Sequence, residues 1–399
     1  MLEALQGRET GSGFGWQMAN LLHEMPVGGT QQRGPRFMKQ RSRLLTAMVG
    51  TLLAVLFVPA PQIARAGADV RDVAAGYNII CVLKINDSVW CQDGSGAWEE
   101  VEFQGRVVDI QLGYDFGCAL TGVGAVWCWG GNEWGQLGDG TETDSSVPRR
   151  VLGSGRLNPV RQISVGTVSA CAVLQTTAVR CWGRGTSGQL GDGAAEDSST
   201  WVKPYGFGRR GARNVSVGEF STCAVKTNGT LYCWGEYGMG ESDTPKTVSG
   251  FKSEQSASTV AVGIGHICVI KPNNGLRCWG SNDYGQLGNR TTTTPESSVP
   301  VYGFSAGGVR AVTVGYFQTC AVKLNQSVWC WGRFDFTAGG VADYPILQPV
   351  SVPGLRGASS TSKIDSLYFQ TCLVKLNQTV VCMRGGGLSD GLPTLLETP

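Results

Sequence analysis

The sequence predicts an all-β fold built from seven copies of one structural unit. Fourteen cysteines form seven pairs with nine residues between the partners, and a glycine stands five residues before the first cysteine in six pairs. Between paired cysteines, apolar and polar residues alternate, which is typical of strands. A unit that returns every 37–53 residues indicates a repeat architecture in which each copy packs against its neighbours.

Each cysteine pair predicts a β-hairpin closed by a disulfide. The centre reads Asn-Gly in CAVKTNGTLYC, residues 223–233, and such residues accept the left-handed conformation of a short loop with a bulge. A count of nine suits a three-residue loop, which places the cysteines about 4.5–5.5 Å apart at Cα, within disulfide range. The predicted bridges are Cys81–Cys91, Cys118–Cys128, Cys171–Cys181, Cys223–Cys233, Cys268–Cys278, Cys320–Cys330 and Cys372–Cys382.

Free buried thiols and a zinc site are the alternatives to disulfides. The constant spacing and the even number of cysteines argue against free thiols. The chain has two histidines, His23 and His266, and no adjacent cysteine knuckles, which argues against zinc. We therefore expect disulfides, no metal and no cofactor. Disulfides on this scale require an oxidising compartment.

The N-terminal region predicts a route to such a compartment. The basic segment KQRSR, 39–43, precedes the apolar segment 44–60, and small residues stand before Gly67, which is the layout of a secretory signal. An uncleaved signal anchor is the alternative, and it would keep the protein lumenal or displayed at a membrane surface. Otherwise we expect a secreted protein with a disordered N-terminal extension at 1–37, a signal peptide at 38–66 and the repeat domain at 67–399.

The charge balance of the predicted mature chain gives no support to nucleic-acid binding. Removing residues 1–66 takes away seven basic and three acidic side chains, which leaves 26 basic and 28 acidic ones. A nearly neutral chain without a basic stripe has little to hold phosphate groups. The 58 glycines suit the turns between many short strands.

A tryptophan-glycine segment continues the repeat after the second cysteine. Its fullest copies are WGGNEWGQLGDG at 129–140, WGRGTSGQLGDG at 182–193 and WGSNDYGQLGNRT at 279–291. This pattern resembles the regulator of chromosome condensation repeat, and the resemblance implies a seven-bladed β-propeller over about residues 70–397. The tryptophan should pack between neighbouring sheets, and the leucine should anchor the loop. The ring should close between VRDVAA at 70–75, the first inner strand, and the last blade, whose outer strand is LPTLLE at 392–397.

Three functions known in that family can be compared with the sequence. Guanine-nucleotide exchange on a nuclear GTPase requires a reduced nuclear chain, which paired cysteines and a secretory signal contradict. Ultraviolet-B sensing uses a Gly-Trp-Arg-His-Thr motif whose tryptophan and arginine positions hold other residues here. Secreted inhibition of β-lactamases shows that a partner-binding propeller outside the cell is compatible with the family. The tryptophan positions of the motif hold Tyr77, Tyr114, Thr167, Glu219, Ile264, Tyr316 and Tyr368.

The sequence predicts a binding module for a protein partner, with no catalysis of its own. His266, the one histidine of the predicted mature chain, occupies the family's own histidine position, which is usually structural. The sequence contains no nucleophile elbow, metal triad or phosphate-binding loop. Carbohydrate binding in the manner of a lectin is the alternative function.

Aromatic residues between the motif glycine and the first cysteine predict the partner-binding surface. They stand in copies 6, 7, 1 and 2, which are consecutive blades once the ring closes. Aromatic clusters are favoured at interface centres, so we expect a contact surface, or else rings that plug the central channel. The residues are Tyr77, Tyr114, Phe116, Tyr316, Phe317, Tyr368 and Phe369.

Aromatic residues of the tryptophan-glycine segments form a second candidate surface, which we rank below the first. Such rings could stack sugars or peptide side chains, and packing between adjacent blades explains them equally well. The residues are Trp134, Tyr237, Tyr284, Phe334 and Phe336.

Six asparagines stand in Asn-x-Ser/Thr and are candidate glycosylation sites in a eukaryotic host. Four of them occupy the same place in the hairpin loop, where asparagine is also favoured for backbone reasons. Glycans there would shield one side of the ring and leave the opposite loops to the partner. The loop asparagines are Asn86, Asn228, Asn325 and Asn377, and the other two are Asn214 and Asn289.

Overall fold

The computed structural model describes residues 69–93, 96–208, 211–333, 345–352, 355, 363–384, 394–396 and 398. The predicted N-terminal extension, 1–37, and the predicted signal segment, 38–66, lie outside these residues. Within the described ranges no helix is long and apolar enough to cross a membrane. The same ranges form seven sheets, each of four antiparallel strands in chain order.

Each sheet is one blade and comes from one continuous stretch of chain. Blade 1 contains β1–β4, blade 2 contains β5–β8, and the order continues to blade 7 with β25–β28. The strands are β1 (Val70–Ala75), β2 (Ile80–Lys84), β3 (Val89–Gln92), β4 (Trp98–Val101), β5 (Val107–Leu112), β6 (Phe116–Thr121), β7 (Val126–Gly130), β8 (Ser145–Arg150), β9 (Val160–Val165), β10 (Ser169–Leu174), β11 (Val179–Gly183), β12 (Ser198–Val202), β13 (Ala212–Val217), β14 (Ser221–Lys226), β15 (Leu231–Glu236), β16 (Glu241–Thr247), β17 (Thr259–Val262), β18 (His266–Ile270), β19 (Leu276–Gly280), β20 (Val299–Pro300), β21 (Val309–Val314), β22 (Gln318–Lys323), β23 (Val328–Gly332), β24 (Ile346–Ser351), β25 (Lys363–Leu367), β26 (Gln370–Val374), β27 (Val380–Arg384) and β28 (Thr394–Leu396).

The blades form a closed ring, which confirms the prediction of an all-β, seven-bladed propeller. The first strand of every blade contacts the first strand of the next, so these strands surround the axis. Seven hydrophobic clusters each combine residues of two successive blades. One of them packs Val73 and Val82 of blade 1 against Val374 and Val380 of blade 7. The ring therefore closes at the predicted junction, by packing of complete blades rather than by exchange of a strand.

The seven predicted disulfides are present, one between the second and third strands of each blade. The paired cysteines stand directly opposite each other, as Cys118 does to Cys128. Their Cα atoms are 4.0–4.1 Å apart, closer than expected, because they occupy non-hydrogen-bonded positions where antiparallel strands approach most closely. Each bridge lies in the cluster shared with the following blade, and closing so short a loop contributes about 2–3 kcal/mol.

The hairpin loops have the predicted three residues and a left-handed third residue. In blade 2, Thr121 N–H donates to the carbonyl of Ala125 (2.9 Å), and Gly124 N–H donates to the carbonyl of Thr121 (2.8 Å). A positive φ recurs six residues after the first cysteine of every blade. The residues are Asp87, Gly124, Thr177, Gly229, Asn274, Gln326 and Gln378.

The order of the strands assigns the loops to two faces of the ring. The turns between first and second strands lie on one face, which we call the mouth face. The hairpins between second and third strands lie on the opposite face, which we call the hairpin face. Because strands alternate in direction within each blade, the tryptophan-glycine segments begin and end on the mouth face.

The seam between blades 7 and 1 carries a carboxylate where two other seams carry a serine hydroxyl group. Ser164 Oγ accepts a hydrogen bond from Val217 N–H of the next blade (3.0 Å). At the same repeat position Asp365 Oδ2 accepts one from Ala75 N–H (2.9 Å). Beside it, Lys363 Nζ lies 2.9 Å from the Asp72 carboxylate and 3.5 Å from that of Asp109. The closing seam is therefore held by ionic contacts in addition to apolar packing.

Candidate interaction face at the mouth of the ring

The turns between first and second strands meet around the axis. Each motif glycine donates its N–H to the carbonyl three residues on, as Gly113 does to Phe116 (2.8 Å) and Gly166 does to Ser169 (2.8 Å). A Cβ on Gly166 would lie 2.0 Å from the carbonyl oxygen of Gly218 in the next blade. Glycine is required there because neighbouring turns approach backbone to backbone.

The residue after each motif position lines the opening of the ring, and we call these seven residues the mouth. Backbone hydrogen bonds tie some of them together across blades. Tyr114 N–H donates to the carbonyl of Thr167 (2.9 Å), and Tyr316 N–H donates to that of Tyr368 (2.8 Å). The mouth consists of Tyr77, Tyr114, Thr167, Glu219, Ile264, Tyr316 and Tyr368.

Three mouth tyrosines form a compact corner. Tyr77 and Tyr114 stack with their ring centres 4.8 Å apart, and Tyr368 meets Tyr77 edge-on at 4.9 Å. Tyr77 is 38% exposed and Tyr114 is 42% exposed, so this corner presents ring surface to solvent. Stacked and edge-on pairs stabilise each other by about 0.5–1.5 kcal/mol beyond burial, which keeps the rings in fixed positions.

A second group of rings extends the corner into blade 6. Tyr316 stacks on Phe317 at 3.8 Å and lies 5.5 Å from Phe369. Tyr316 also lies 6.2 Å from Tyr368, which joins the two groups. Six of the seven predicted aromatics are therefore continuous over blades 6, 7, 1 and 2, and we call this set the aromatic arc: Tyr77, Tyr114, Tyr316, Phe317, Tyr368 and Phe369.

Phe116, the seventh predicted aromatic, does not belong to this surface. It begins strand β6 and is only 1% exposed, in the cluster between blades 2 and 3. The prediction was wrong for this residue because the turn of blade 2 ends at Asp115. The next side chain then falls on the buried side of the strand, since strand residues alternate between faces.

Glu219, the mouth residue of blade 4, faces the tyrosines of blades 6 and 7. Burial first, and then the Glu219 carboxylate, raise the pKa of the Tyr316 and Tyr368 phenols. Burial likewise raises the pKa of Glu219 to about 7, against the opposing effect of Arg184. Side chains from opposite sides of a ring interact only near its axis. Tyr368, which is half-buried, therefore points towards the axis, whereas Tyr77 and Tyr114 present ring surface to solvent.

The turn of blade 7 departs from the other six. Leu367 replaces the motif glycine, and the following residue, Tyr368, has φ +50°. The other six mouth residues have no such positive φ. A bulky side chain in the left-handed region is uncommon, and strained residues of this kind cluster at functional sites.

The second candidate surface does not form one surface. Tyr284 joins the aromatic arc, with its ring 4.4 Å from Phe317. Tyr237 packs against the cluster between blades 4 and 5, and Trp134 lies under the Arg184 guanidinium at 5.2 Å. Phe334 and Phe336 lie outside the described residues.

The tryptophan-glycine segments join blades, as the sequence predicts. Trp182 Nε1 donates to the carbonyl of Gln136 in the preceding blade (2.9 Å), and Leu137 beside it is fully buried. Equivalent bonds run from Trp234 to Gln189 and from Trp331 to Gln286. Blade 1 lacks this segment, and the indole N–H of Trp129 in blade 2 accordingly has no partner.

His266 is part of the joint between blades 5 and 6. Its Nε2 lies 2.7 Å from the hydroxyl of Thr319, which donates its own proton to the carbonyl of Gln286 (2.8 Å). Nε2 must therefore carry the hydrogen, and Nδ1 is left as a buried atom without a partner. Burial lowers the pKa of His266 to about 3, so the ring is neutral and structural.

The four loop asparagines lie at exposed tips of the hairpin face. Asn86 Oδ1 accepts hydrogen bonds from the N–H (3.1 Å) and the hydroxyl (2.7 Å) of Ser88, and Asn325 makes the same pair with Ser327. These bonds explain the Asn-x-Ser/Thr pattern by turn chemistry. Asn214 differs, because it is half-buried and its Nδ2 donates to Thr259 Oγ1 (2.6 Å).

Sequence reasoning placed Glu219 in the tryptophan position of the photoreceptor motif but gave it no role at the site. The sequence did contain a signal for Glu219, because it is a carboxylate at the turn position where four other blades carry tyrosine. The charged contacts of Lys363 with Asp72 and Asp109 were also missed, because one strand does not show that its polar residues meet those of two other blades. Within the described residues no group of three His, Cys, Asp or Glu side chains is placed to hold a metal.

Comparisons with known proteins agree with this architecture. Models of the regulator of chromosome condensation repeat match residues 123–173 and 276–322, and a second model of the repeat matches 107–136, 212–240 and 257–286. The ultraviolet-B receptor UVR8 of Arabidopsis thaliana is 28% identical over 223 residues, which cover 54% of this chain and 50% of the receptor. The human E3 ubiquitin-protein ligase HERC2 is 30% identical over 135 residues, 30% of this chain and 3% of that protein. The chain thus matches half or less of these relatives.

Solved structures show the same fold at low identity. Human WBSCR16 superposes with a TM-score of 0.66 at 17% identity, covering 76% of this chain and 85% of that one. Prp20p of Saccharomyces cerevisiae gives 0.64 at 15% identity, covering 80% and 83%. The repeat matches show that the chain contains regulator of chromosome condensation repeats, and the solved structures agree with its seven-bladed β-propeller fold.

Proposed function

We propose that this propeller is a secreted binding module that holds a protein partner against its mouth face. Propellers of this family commonly act as protein-interaction modules. The observation that carries the proposal is the aromatic arc, which runs over four consecutive blades and exposes Tyr77 and Tyr114. Rigid aromatic clusters of this kind supply the buried centre of many protein interfaces.

The distribution of features between the two faces supports the same proposal. The mouth face carries the aromatic arc, whereas the hairpin face carries Asn86, Asn228, Asn325 and Asn377 at exposed tips. Their side-chain oxygens are used within the turns. In a eukaryotic host we expect glycans on these tips, which would leave the mouth face as the accessible one. An amidase that strips N-glycans should then reduce the mass of the secreted protein.

Affinity capture tests the binding function. The mature propeller is immobilised, incubated with medium in which its host grows, and the retained proteins are identified by mass spectrometry. The variant Tyr316→Ala/Tyr368→Ala should lose capture by at least about tenfold, because truncating two central aromatics costs several kcal/mol. Tyr205→Ala is the matched control, since Tyr205 is 70% exposed and follows the outer strand β12, away from the arc.

Equal capture by the double variant and the wild type would contradict the proposal, provided that both unfold at the same temperature. A glycan array offers a second comparison, because binding there that depends on the same tyrosines would favour the lectin alternative. Secretion has its own test. N-terminal sequencing of protein recovered from the medium should begin at Gly67.

A further inference from the structure

The Glu219 carboxylate stands at the mouth without a partner of its own. It makes no side-chain hydrogen bond and no ion pair, and its oxygens are not closed off from solvent. Arg184 is the cation whose charge acts on Glu219. Its side chain makes other contacts, because its Nε donates to Thr186 Oγ1 (3.1 Å) and its guanidinium lies over Trp134. A carboxylate that is half-buried and unpaired is stabilised by any cation that reaches it.

The tyrosines of the mouth add a second attraction for a cation. Tyr77, Tyr114 and Tyr368 meet within 4.8–5.6 Å of one another, and two of them expose ring surface. The faces of aromatic rings carry negative potential and attract ammonium and guanidinium groups. Glu219 occupies the same turn position as the mouth tyrosines, and its charge adds to burial in raising the pKa of the Tyr316 and Tyr368 phenols. Rings and carboxylate therefore belong to one set of turns that meets around the axis.

The charges around this space select among ligand classes. Asp115 follows Tyr114 directly, and Glu236 adds to the negative charge at Glu219, although Arg184 opposes it. An anionic group at the rings would therefore meet the carboxylates of Asp115 and Glu219. A neutral sugar would leave the Glu219 charge uncompensated. A basic side chain satisfies both the carboxylate and the rings.

We propose that the mouth receives one arginine or lysine side chain of the protein partner, held between the Tyr77–Tyr114–Tyr368 corner and Glu219. This inference rests on the proposed function, because it names the chemical class of the residue that anchors the partner. It also explains why blade 4 carries a glutamate where four other blades carry tyrosine. The anchor would enter along the axis, while the rest of the aromatic arc packs against the surface around it.

Short peptides test the anchor without knowledge of the partner. The probes are acetyl-Gly-Arg-Gly-amide and the same peptide with citrulline, which has nearly the same shape and no charge. Binding is followed by changes in the NMR signals of the tyrosine rings at pH 8. The arginine peptide should bind at least about tenfold more tightly than the citrulline peptide, which corresponds to one favourable charge contact.

Glu219→Gln should remove this preference, whereas Glu254→Gln, an equal change of charge on an exposed loop between β16 and β17, should retain it. Equal binding of the two peptides by the wild type, or a preference that survives Glu219→Gln, would overturn the inference. Partner capture separates this outcome from the binding function itself. If capture is lost in Tyr316→Ala/Tyr368→Ala but unchanged in Glu219→Gln, the mouth face binds the partner without a cationic anchor.

Discussion

Blades 3, 4 and 5 and blades 6, 7, 1 and 2 carry the same turn, apart from Leu367 in blade 7, and fill it differently. In blades 3 to 5 the mouth residues are Thr167, Glu219 and Ile264, whereas the other four blades all carry tyrosine. In five of the seven seams, a Cβ added to the motif glycine would lie 2.0–3.1 Å from the carbonyl oxygen of the next motif glycine. The glycine therefore builds the ring, while the residue after it is free to define the site.

The largest expected effect comes from the ring-building position. Gly166→Ala would place a Cβ 2.0 Å from the Gly218 carbonyl oxygen, where only the backbone of the next blade could move. We expect a loss of about 3 kcal/mol or more in the free energy of unfolding. Gly206→Ala is the control, because it has a positive φ but open space, and should cost about 1 kcal/mol. Urea unfolding measures both, and equal losses would show that the neighbouring turn shifts to make room for the Cβ at Gly166 and would contradict the assignment.

A smaller effect should distinguish the closing seam from the rest of the ring. Burial raises the pKa of Asp109 to about 7, against the opposing charge of Lys363 and with the help of Asp72, and burial raises that of Asp365 to about 6. Burial alone would lower the pKa of Lys363, but these carboxylates raise it above its ordinary value.

The folded state keeps the carboxyl protons of Asp109 and Asp365 to higher pH than the unfolded state does. The contribution of these protons to the stability of the fold is therefore complete below about pH 4. It is lost as the pH rises through 6 to 7. Asp109→Asn should flatten the decline of unfolding temperature between pH 4 and pH 7, whereas Glu142→Gln, on the exposed loop between β7 and β8, should leave it unchanged. An identical pH profile for Asp109→Asn and the wild type would contradict the assignment.

The tryptophans offer the smallest of these comparisons. Trp182→Phe removes the hydrogen bond to Gln136, whereas Trp129→Phe removes an indole N–H that has no partner. Both substitutions lose similar buried ring surface. Trp182→Phe should therefore cost about 1 kcal/mol more than Trp129→Phe in thermal or urea unfolding. Equal costs would mean that the segment joins blades by packing alone.

Much of the fold could be predicted because the repeat shows each feature several times. The nine-residue spacing alone indicates the hairpin, its three-residue loop and the disulfide. A single copy would leave this interpretation ambiguous, and seven copies resolve it. The closing junction also followed, since β1 and β28 stand where the repeat requires them. Phe116 shows the limit of this reasoning, because its place depends on where one turn ends, and a shift of one residue moves a strand side chain to the opposite face.

The site was harder to predict than the fold. Tyr77, Tyr114 and Tyr368 could be grouped from the order of the blades alone. Glu219 could not be grouped with these tyrosines from the sequence. It lies in blade 4, three blades from Tyr368 in blade 7, and the two can interact only across the axis of the ring. The left-handed φ of Tyr368 and the charge cluster around Lys363 likewise arise from contacts between distant blades, which a repeat pattern does not record.

The central claim, that the mouth face holds the partner, is tested most directly by chemical footprinting of tyrosines. The propeller is nitrated alone and with its captured partner, and each modified tyrosine is quantified by mass spectrometry. Tyr77 and Tyr114, at 38% and 42% exposure, should be protected by the partner, while Tyr205 and Tyr302, at 70% and 49%, should react equally in both samples. Protection of Tyr205 or Tyr302 with unchanged reaction of Tyr77 and Tyr114 would place the partner elsewhere and contradict the account.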